Sequence, residues 1–143
     1  KGRMASVVYH AAQQLRDTGK IRLFRSHHAD FADGEQMRDF VCVEDVCEVI
    51  HFMMQQRPQS GIYNVGTGKA RSFRDLALSV CSAMGIKDGA ERIEWVDMPE
   101  NLREKYQYFT EAEIQYLRKA GYRRAFLSIE EGCARVLASP TVS

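Results

Sequence analysis

Proline, sulfur crosslinks and excess charge are all scarce in this 143-residue sequence. With 3 Pro and 10 Gly it cannot be collagen-like or low-complexity. Its 4 cysteines, Cys42, Cys47, Cys81 and Cys133, form no C-x-x-C pair. That removes the common zinc and redox motifs, and a chain of this length needs no disulfide to fold, so reduced thiols in a cytosol are expected. Lys+Arg 20 against Asp+Glu 19 leaves a formal charge of +1. Nucleic-acid binding through a broad basic face is therefore not expected, although a local basic patch remains open. No apolar run approaches the ~20 residues that cross a membrane; His51 interrupts the longest, between Val49-Ile50 and Phe52-Met53-Met54. No signal-peptide pattern follows Lys1-Gly2-Arg3. The sequence also lacks G-x-G-x-x-G, a Walker lysine loop and G-x-S-x-G. His10, His27, His28 and His51 lack metal-ligand spacing, and no metal site is expected.

What remains is ordinary globular composition, 45% hydrophobic and 10% aromatic, enough for one domain that buries roughly two-thirds of its unfolded surface. Apolar residues at three- and four-residue steps predict a helix over Met4–Arg16, stopped by Gly19. Alternation predicts a strand at Ile21–Arg25, then a polar loop over His27–Gln36. Asp39–Val43 reads as a short extended segment with Asp45 as N-cap of the helix beyond it. Gly61–Val65 reads as a strand closed by Gly66-Thr67-Gly68, and Ser72 as the cap of a helix ending at Gly85. Arg92–Val96 is a further strand and Pro99–Tyr108 an irregular stretch. Two S/T-x-x-E boxes, Thr110 with Glu113 and Ser128 with Glu131, announce the last two helices, the first stopped by Gly121. Strands alternating with helices indicate an α/β fold. The strands are too few for a complete doubly wound sheet, and the sequence opens on Lys1 within an element, so a fragment is expected.

Several residues carry candidate chemistry, each with a plain structural alternative. Arg38, placed after a polar loop and before an apolar segment, suits a phosphate in a cleft; the alternative is an ion pair with Asp39, Glu35 or Glu44. Gly66-Thr67-Gly68 is either a phosphate-binding turn or simply a tight turn. His10 can face a ligand from its helix or sit at the surface. Tyr106, in the cationic and aromatic stretch Asn101–Tyr108, can stack on a base or sugar or be a buried loop aromatic.

Five stretches together resemble one family. Arg38-Asp39-Phe40-Val41-Cys42-Val43-Glu44-Asp45-Val46 and Asn64-Val65-Gly66-Thr67-Gly68 resemble motifs of extended short-chain dehydrogenase/reductases acting on nucleotide sugars. Lys1-Gly2-Arg3-Met4-Ala5-Ser6-Val7 with His10, Lys105-Tyr106-Gln107-Tyr108-Phe109-Thr110, and Leu117-Arg118-Lys119-Ala120-Gly121-Tyr122 resemble the ADP-L-glycero-D-manno-heptose 6-epimerase family. Their order and spacing match over nearly the whole sequence.

The resemblance implies the C-terminal, substrate-binding part of such an enzyme, with the last strands and helices of an incomplete Rossmann-type sheet. Residues 1–143 would be a single substrate-binding fragment. The N-terminal cofactor-binding domain, with its Tyr-x-x-x-Lys pair, is absent from this sequence, so the isolated chain is expected to be inactive. In the family's reaction a bound NADP oxidises C6 of an ADP-heptose to a transient ketone and returns the hydride to the other face. The resemblance makes Lys1 a catalytic acid/base and a cofactor contact. Arg3, His10, Phe24, Arg25, Ser26, His27, Arg38 and Tyr106 would bind the ADP-sugar substrate. It further implies a homo-oligomer when full length, and a bacterial cytoplasm supplying lipopolysaccharide precursors. Two alternatives stand beside it: another nucleotide-sugar epimerase or dehydratase of the same superfamily, or a non-catalytic ligand-binding module.

Overall fold

A computed structural model describes residues 6–138, and strands and helices alternate along them. Helix α1 (Val7–Thr18) starts where the Ser6 hydroxyl accepts the Tyr9 N–H. It ends at Gly19, whose φ of 70° a side chain would strain. Strand β1 (Ile21–Phe24) follows. It runs parallel to β4 (Ile93–Val96), with Ile21 opposite Ile93 and Phe24 opposite Val96. Parallel strands need a covered crossover. Part of that crossover is α3 (Phe73–Ala83), which starts at a reciprocal capping box between Ser72 and Asp75. Ala12 and Leu15 of α1, Ile21 and Leu23 of β1, and Leu76, Ala77 and Val80 of α3 interlock in the main core. Helix α6 (Ile129–Ala138) closes that core with Ile129 and Cys133.

A second sheet places the centre of the chain. Its middle strand, β2 (Met37–Arg38), is antiparallel to β3 (Arg71–Ser72) and parallel to β5 (Phe109–Thr110). A smaller core lies beside it. Val49 of α2 (Val43–Gln56) meets Leu117 of α5 (Gln115–Lys119), together with Tyr122, Phe52, Tyr63 and Phe126. A single short turn, α4 (Glu100–Arg103), interrupts the stretch expected to be irregular.

Four expectations are corrected. Helix α2 is capped at Cys42 rather than Asp45, and no side chain makes the capping bond. Asp45 is buried instead, and its carboxylate accepts the Leu127 N–H, a contact 82 residues distant in sequence. The extended segment expected at Asp39–Val43 pairs two residues earlier, at β2, because that is where Phe109–Thr110 and Arg71–Ser72 arrive. Thr110 belongs to β5 and caps nothing, while Glu113 accepts the Gln115 N–H. Gly61–Val65 forms no strand. By contrast, the Ser128–Glu131 box forms as expected, with both reciprocal bonds.

All four cysteines are free. Cys133 is 2% exposed against the main core, and burial pushes its thiol up to about 11, with Glu130 and Cys42 adding to the rise. Cys47 is exposed. Native protein treated with a maleimide at mildly alkaline pH is therefore expected to be labelled at Cys47, and at Cys133 only after denaturation. Peptide mass spectrometry reads this directly; equal native labelling of the two would contradict the packing of α6.

Candidate functional site

A groove of about 330 Å3 lies between α1 and α3 at the end of β1. Its floor is apolar because Ala11, Leu23, Leu76 and Ala77 already face the core there. Its rim is not. His10 reaches it from α1, one helical turn beyond Ser6, and Phe24, Gln36, Phe73 and Tyr106 form the far wall. Polar groups on the rim of an apolar hollow orient a ligand whose body fills it.

Arg38 supplies the charge beside this wall. Its guanidinium lies over two rings that line the groove, 5.3 Å from the centroid of Tyr106 and 5.9 Å from that of Phe73. Its Nη1 donates to the Met37 carbonyl at 2.8 Å. The three carboxylates that could have neutralised it are engaged elsewhere. Glu44 pairs with Arg135 at 2.8 Å, and Glu35 faces Arg74 at 3.8 Å. Asp39 accepts four bonds, from the Thr67 N–H and hydroxyl at 2.8 and 2.6 Å, the Gly68 N–H at 2.9 Å and the Ala112 N–H at 3.1 Å. Burial raises the Asp39 carboxyl, but these bonds outweigh it and hold the group below its ordinary value. The Arg38 cation thus has no carboxylate within ion-pairing distance among the described residues. The same burial pushes the Tyr106 phenol up, opposed by Arg38, so the ring beside the cation stays neutral at physiological pH.

That network also decides the reading of Gly66-Thr67-Gly68. The turn is a nest for an anion, and the anion is the protein's own Asp39. A Cβ on Gly66 would stand 2.5 Å from the Ala112 Cβ and 2.6 Å from Asp39 Oδ2. The described residues therefore offer no phosphate cradle for a dinucleotide.

The expected ligand contacts divide into three sets. His10, Phe24, Arg38 and Tyr106 come together at the groove. Phe24 meets Tyr106 edge-on at 6.3 Å. Arg25, Ser26 and His27 do not line it. Asp33 brackets this stretch instead, accepting from Arg25 Nη1 at 3.0 Å and from the Ser26 N–H at 2.7 Å. The Tyr108 hydroxyl accepts the His27 N–H at 3.1 Å. Lys1 and Arg3 lie outside the described residues. In the same loop His28 Nδ1 accepts the Asp30 N–H, and no three His, Cys, Asp or Glu side chains converge on a metal position among the described residues.

Sequence reasoning missed Gln36, Asp33 and Tyr108. Gln36 is 1% exposed and joins three elements. Its side-chain amide donates to the Phe24 carbonyl at 3.3 Å, and its backbone carbonyl accepts the Phe73 N–H at 3.1 Å. A lone glutamine in a polar loop gives no periodic signal of burial. Asp33 beside Gly34 reads as ordinary turn chemistry, and only the fold brings it to Arg25.

The NAD dependent epimerase/dehydratase family matches residues 1–66. A relative from Fusobacterium nucleatum, named ADP-L-glycero-D-manno-heptose-6-epimerase, is 47% identical over 135 residues, 92% of this chain and 41% of its own length. The crystal structure of the Helicobacter pylori ADP-L-glycero-D-manno-heptose-6-epimerase superposes with a TM-score of 0.74 at 26% identity, over 99% of this chain and 38% of that one. A Thermus thermophilus UDP-glucose 4-epimerase solved with NAD gives 0.68 at 25% identity, over 90% of this chain and 37% of that one. The chain spans about 40% of the length of the relatives it matches. Its fold is that part of an extended short-chain dehydrogenase/reductase.

Proposed function

We propose that this chain, which is similar over 92% of its length to an ADP-L-glycero-D-manno-heptose-6-epimerase, is the ADP-sugar-binding part of an enzyme that inverts C6 of ADP-glycero-manno-heptose. The observation carrying this reading is Arg38, a cation without a carboxylate partner among the described residues, held between two aromatic faces beside an apolar groove. A diphosphate suits the guanidinium, because both are planar or forked and bond bidentately. A planar base or a sugar ring suits the groove. Tyr106 bridges the two, and His10 offers a ring nitrogen from the opposite wall.

NADP, the cofactor this family reading implies, finds no seat among the described residues, since the only glycine turn of suitable shape holds Asp39. Cofactor binding and the Tyr-x-x-x-Lys pair belong to a separate N-terminal domain, and residues 1–143 act as one substrate-binding unit that is inactive alone. Lys1 is the proposed acid/base and cofactor contact, and Arg3 an outer substrate contact. In a complete enzyme Lys1→Met is expected to abolish turnover while leaving ADP-sugar binding intact; undiminished turnover would remove Lys1 from the mechanism. The setting proposed for the whole enzyme is a homo-oligomer in a bacterial cytoplasm, feeding lipopolysaccharide synthesis.

Titration calorimetry of this chain against ADP-glycero-manno-heptose, ADP and UDP-glucose tests the substrate class. The ADP compounds are expected to bind more tightly. Equal or tighter binding of UDP-glucose would favour another nucleotide-sugar epimerase, the reading to which the Thermus likeness gives some weight.

A further inference from the structure

Gln36 carries an acceptor that the fold leaves unused. The residue is 1% exposed and lines the groove. Its Nε2 donates to the Phe24 carbonyl at 3.3 Å. That contact fixes which way the amide turns, because a side-chain oxygen facing the same carbonyl would be repelled. Oε1 is therefore the free end, and it accepts no hydrogen bond among the described residues. A carbonyl this secluded is costly to leave without a donor, and the open space that Gln36 borders is the groove.

The position of Gln36 relative to Arg38 indicates what the donor belongs to. The two residues flank Met37 of β2. The Met37 N–H donates to the Tyr108 carbonyl, and the Gln36 carbonyl continues the ladder by accepting the Phe73 N–H. Side chains two apart on extended chain share a face, about 6.5–7 Å from one another. The Arg38 guanidinium lies over Phe73 and Tyr106, and both rings line the groove. A diphosphate on Arg38 thus leaves the rest of a nucleotide to enter along those rings, toward Gln36. At about 330 Å3 the groove is at the small end of ligand pockets, room for a nucleoside rather than a whole nucleotide sugar. Its apolar floor and aromatic wall suit a flat base, whereas a sugar would bury several hydroxyls against them.

We infer that Gln36 determines specificity for the base: its Oε1 accepts the exocyclic amine of adenine, and a base with a carbonyl at that position is rejected because two acceptors would face each other. The inference rests on the ADP-sugar reading proposed above. It adds the atom that tells adenine from hypoxanthine or uracil.

Calorimetry of this chain with three nucleotides of equal charge tests it. They are ADP, inosine 5′-diphosphate, which has a carbonyl in place of the amine, and purine riboside 5′-diphosphate, which has neither. ADP is expected to bind tightest, the purine riboside compound at least about fivefold more weakly and the inosine compound at least about tenfold more weakly. Gln36→Met keeps the side-chain length and removes the acceptor, so it should bring the three within about twofold of one another. Arg38→Ala should weaken all three alike and preserve their order. If Gln36 served only to hold Phe24 and Phe73 in place, Gln36→Met would weaken all three together and keep their ranking; that result would overturn the inference. Equal binding of ADP and purine riboside diphosphate by the unsubstituted chain would overturn it too, and this comparison stands even if Gln36→Met fails to fold. Tight binding of ADP without preference among the purines would defeat the role of Gln36 alone and leave the ADP-sugar reading in place. No binding of any of the three would defeat that reading and the inference with it.

Discussion

Replacing Asp39 by Asn is expected to destabilise the chain by about 3 kcal/mol, the scale of losing charge-assisted bonds while leaving backbone donors unsatisfied. The carboxylate accepts two bonds on Oδ1 and two on Oδ2, and an amide can reproduce only the first pair. Its NH2 would point at the N–H groups of Gly68 and Ala112. For a chain of this size that is a fall of roughly 10 °C in Tm. The acid limb should change too. A carboxyl whose value is lowered on folding adds stability that is fully present above its unfolded value near pH 4 and is lost as pH falls through the lower folded value. Asp39→Asn should therefore flatten the loss of stability below pH 4. Gly66→Ala should damage the same clasp, since the new methyl would overlap Asp39 and Ala112. Thermal melts of the three proteins between pH 3 and pH 7 decide this; an Asn variant with wild-type Tm at pH 7 would show the clasp to be dispensable.

Arg38→Ala is expected to weaken binding of an ADP-sugar by about 2 kcal/mol or more, a loss of thirtyfold or greater in Kd. The size follows from the absence of competition: no carboxylate among the described residues pairs with the guanidinium, because Glu35, Asp39 and Glu44 are engaged elsewhere, so its charge is available to a diphosphate. Arg25→Ala supplies the contrast. Arg25 is tied to Asp33 on an exposed rim and does not line the groove, so its loss should cost well under 1 kcal/mol of binding. Arg38→Lys should recover part of the affinity, since a lysine keeps the charge but not the forked geometry or the stacking on Tyr106 and Phe73. Calorimetry with ADP on all three variants reads the ranking. Equal losses at Arg25 and Arg38 would mean that long-range charge, not placement at the groove, governs binding.

Local chemistry was legible in the sequence where the partner lies within a few residues. Gly19 and Gly121 end their helices at positive φ, Ser72 caps α3 as expected, and the Ser128–Glu131 box closes. Where the partner is distant the reading failed. Asp45 looks like a cap until Leu127 arrives to use it, and Thr110 looks like a cap until Met37 and Arg38 draw it into a strand. Arg38 itself could be singled out, but whether a carboxylate neutralises it depends on where Asp39, Glu35 and Glu44 turn, and those choices are made by Thr67, Arg74 and Arg135. Gly61–Val65 has the composition of a strand and, among the described residues, no backbone partner to pair with.

The crossing of β2 with β3 and β5 sets the order in which the molecule can assemble. Three segments, at residues 37–38, 71–72 and 109–110, must meet there, and each closure between them spans more than thirty residues of intervening chain. Such closures carry an entropic cost that local helices do not face. The helices α1 and α3 can therefore form early, while Arg38 and Tyr106 reach their stacked positions only when the last closure is made. The groove is thus a late product of folding. A nucleotide that recognises it should leave the early rate of refolding unchanged and act on the native state by slowing its unfolding.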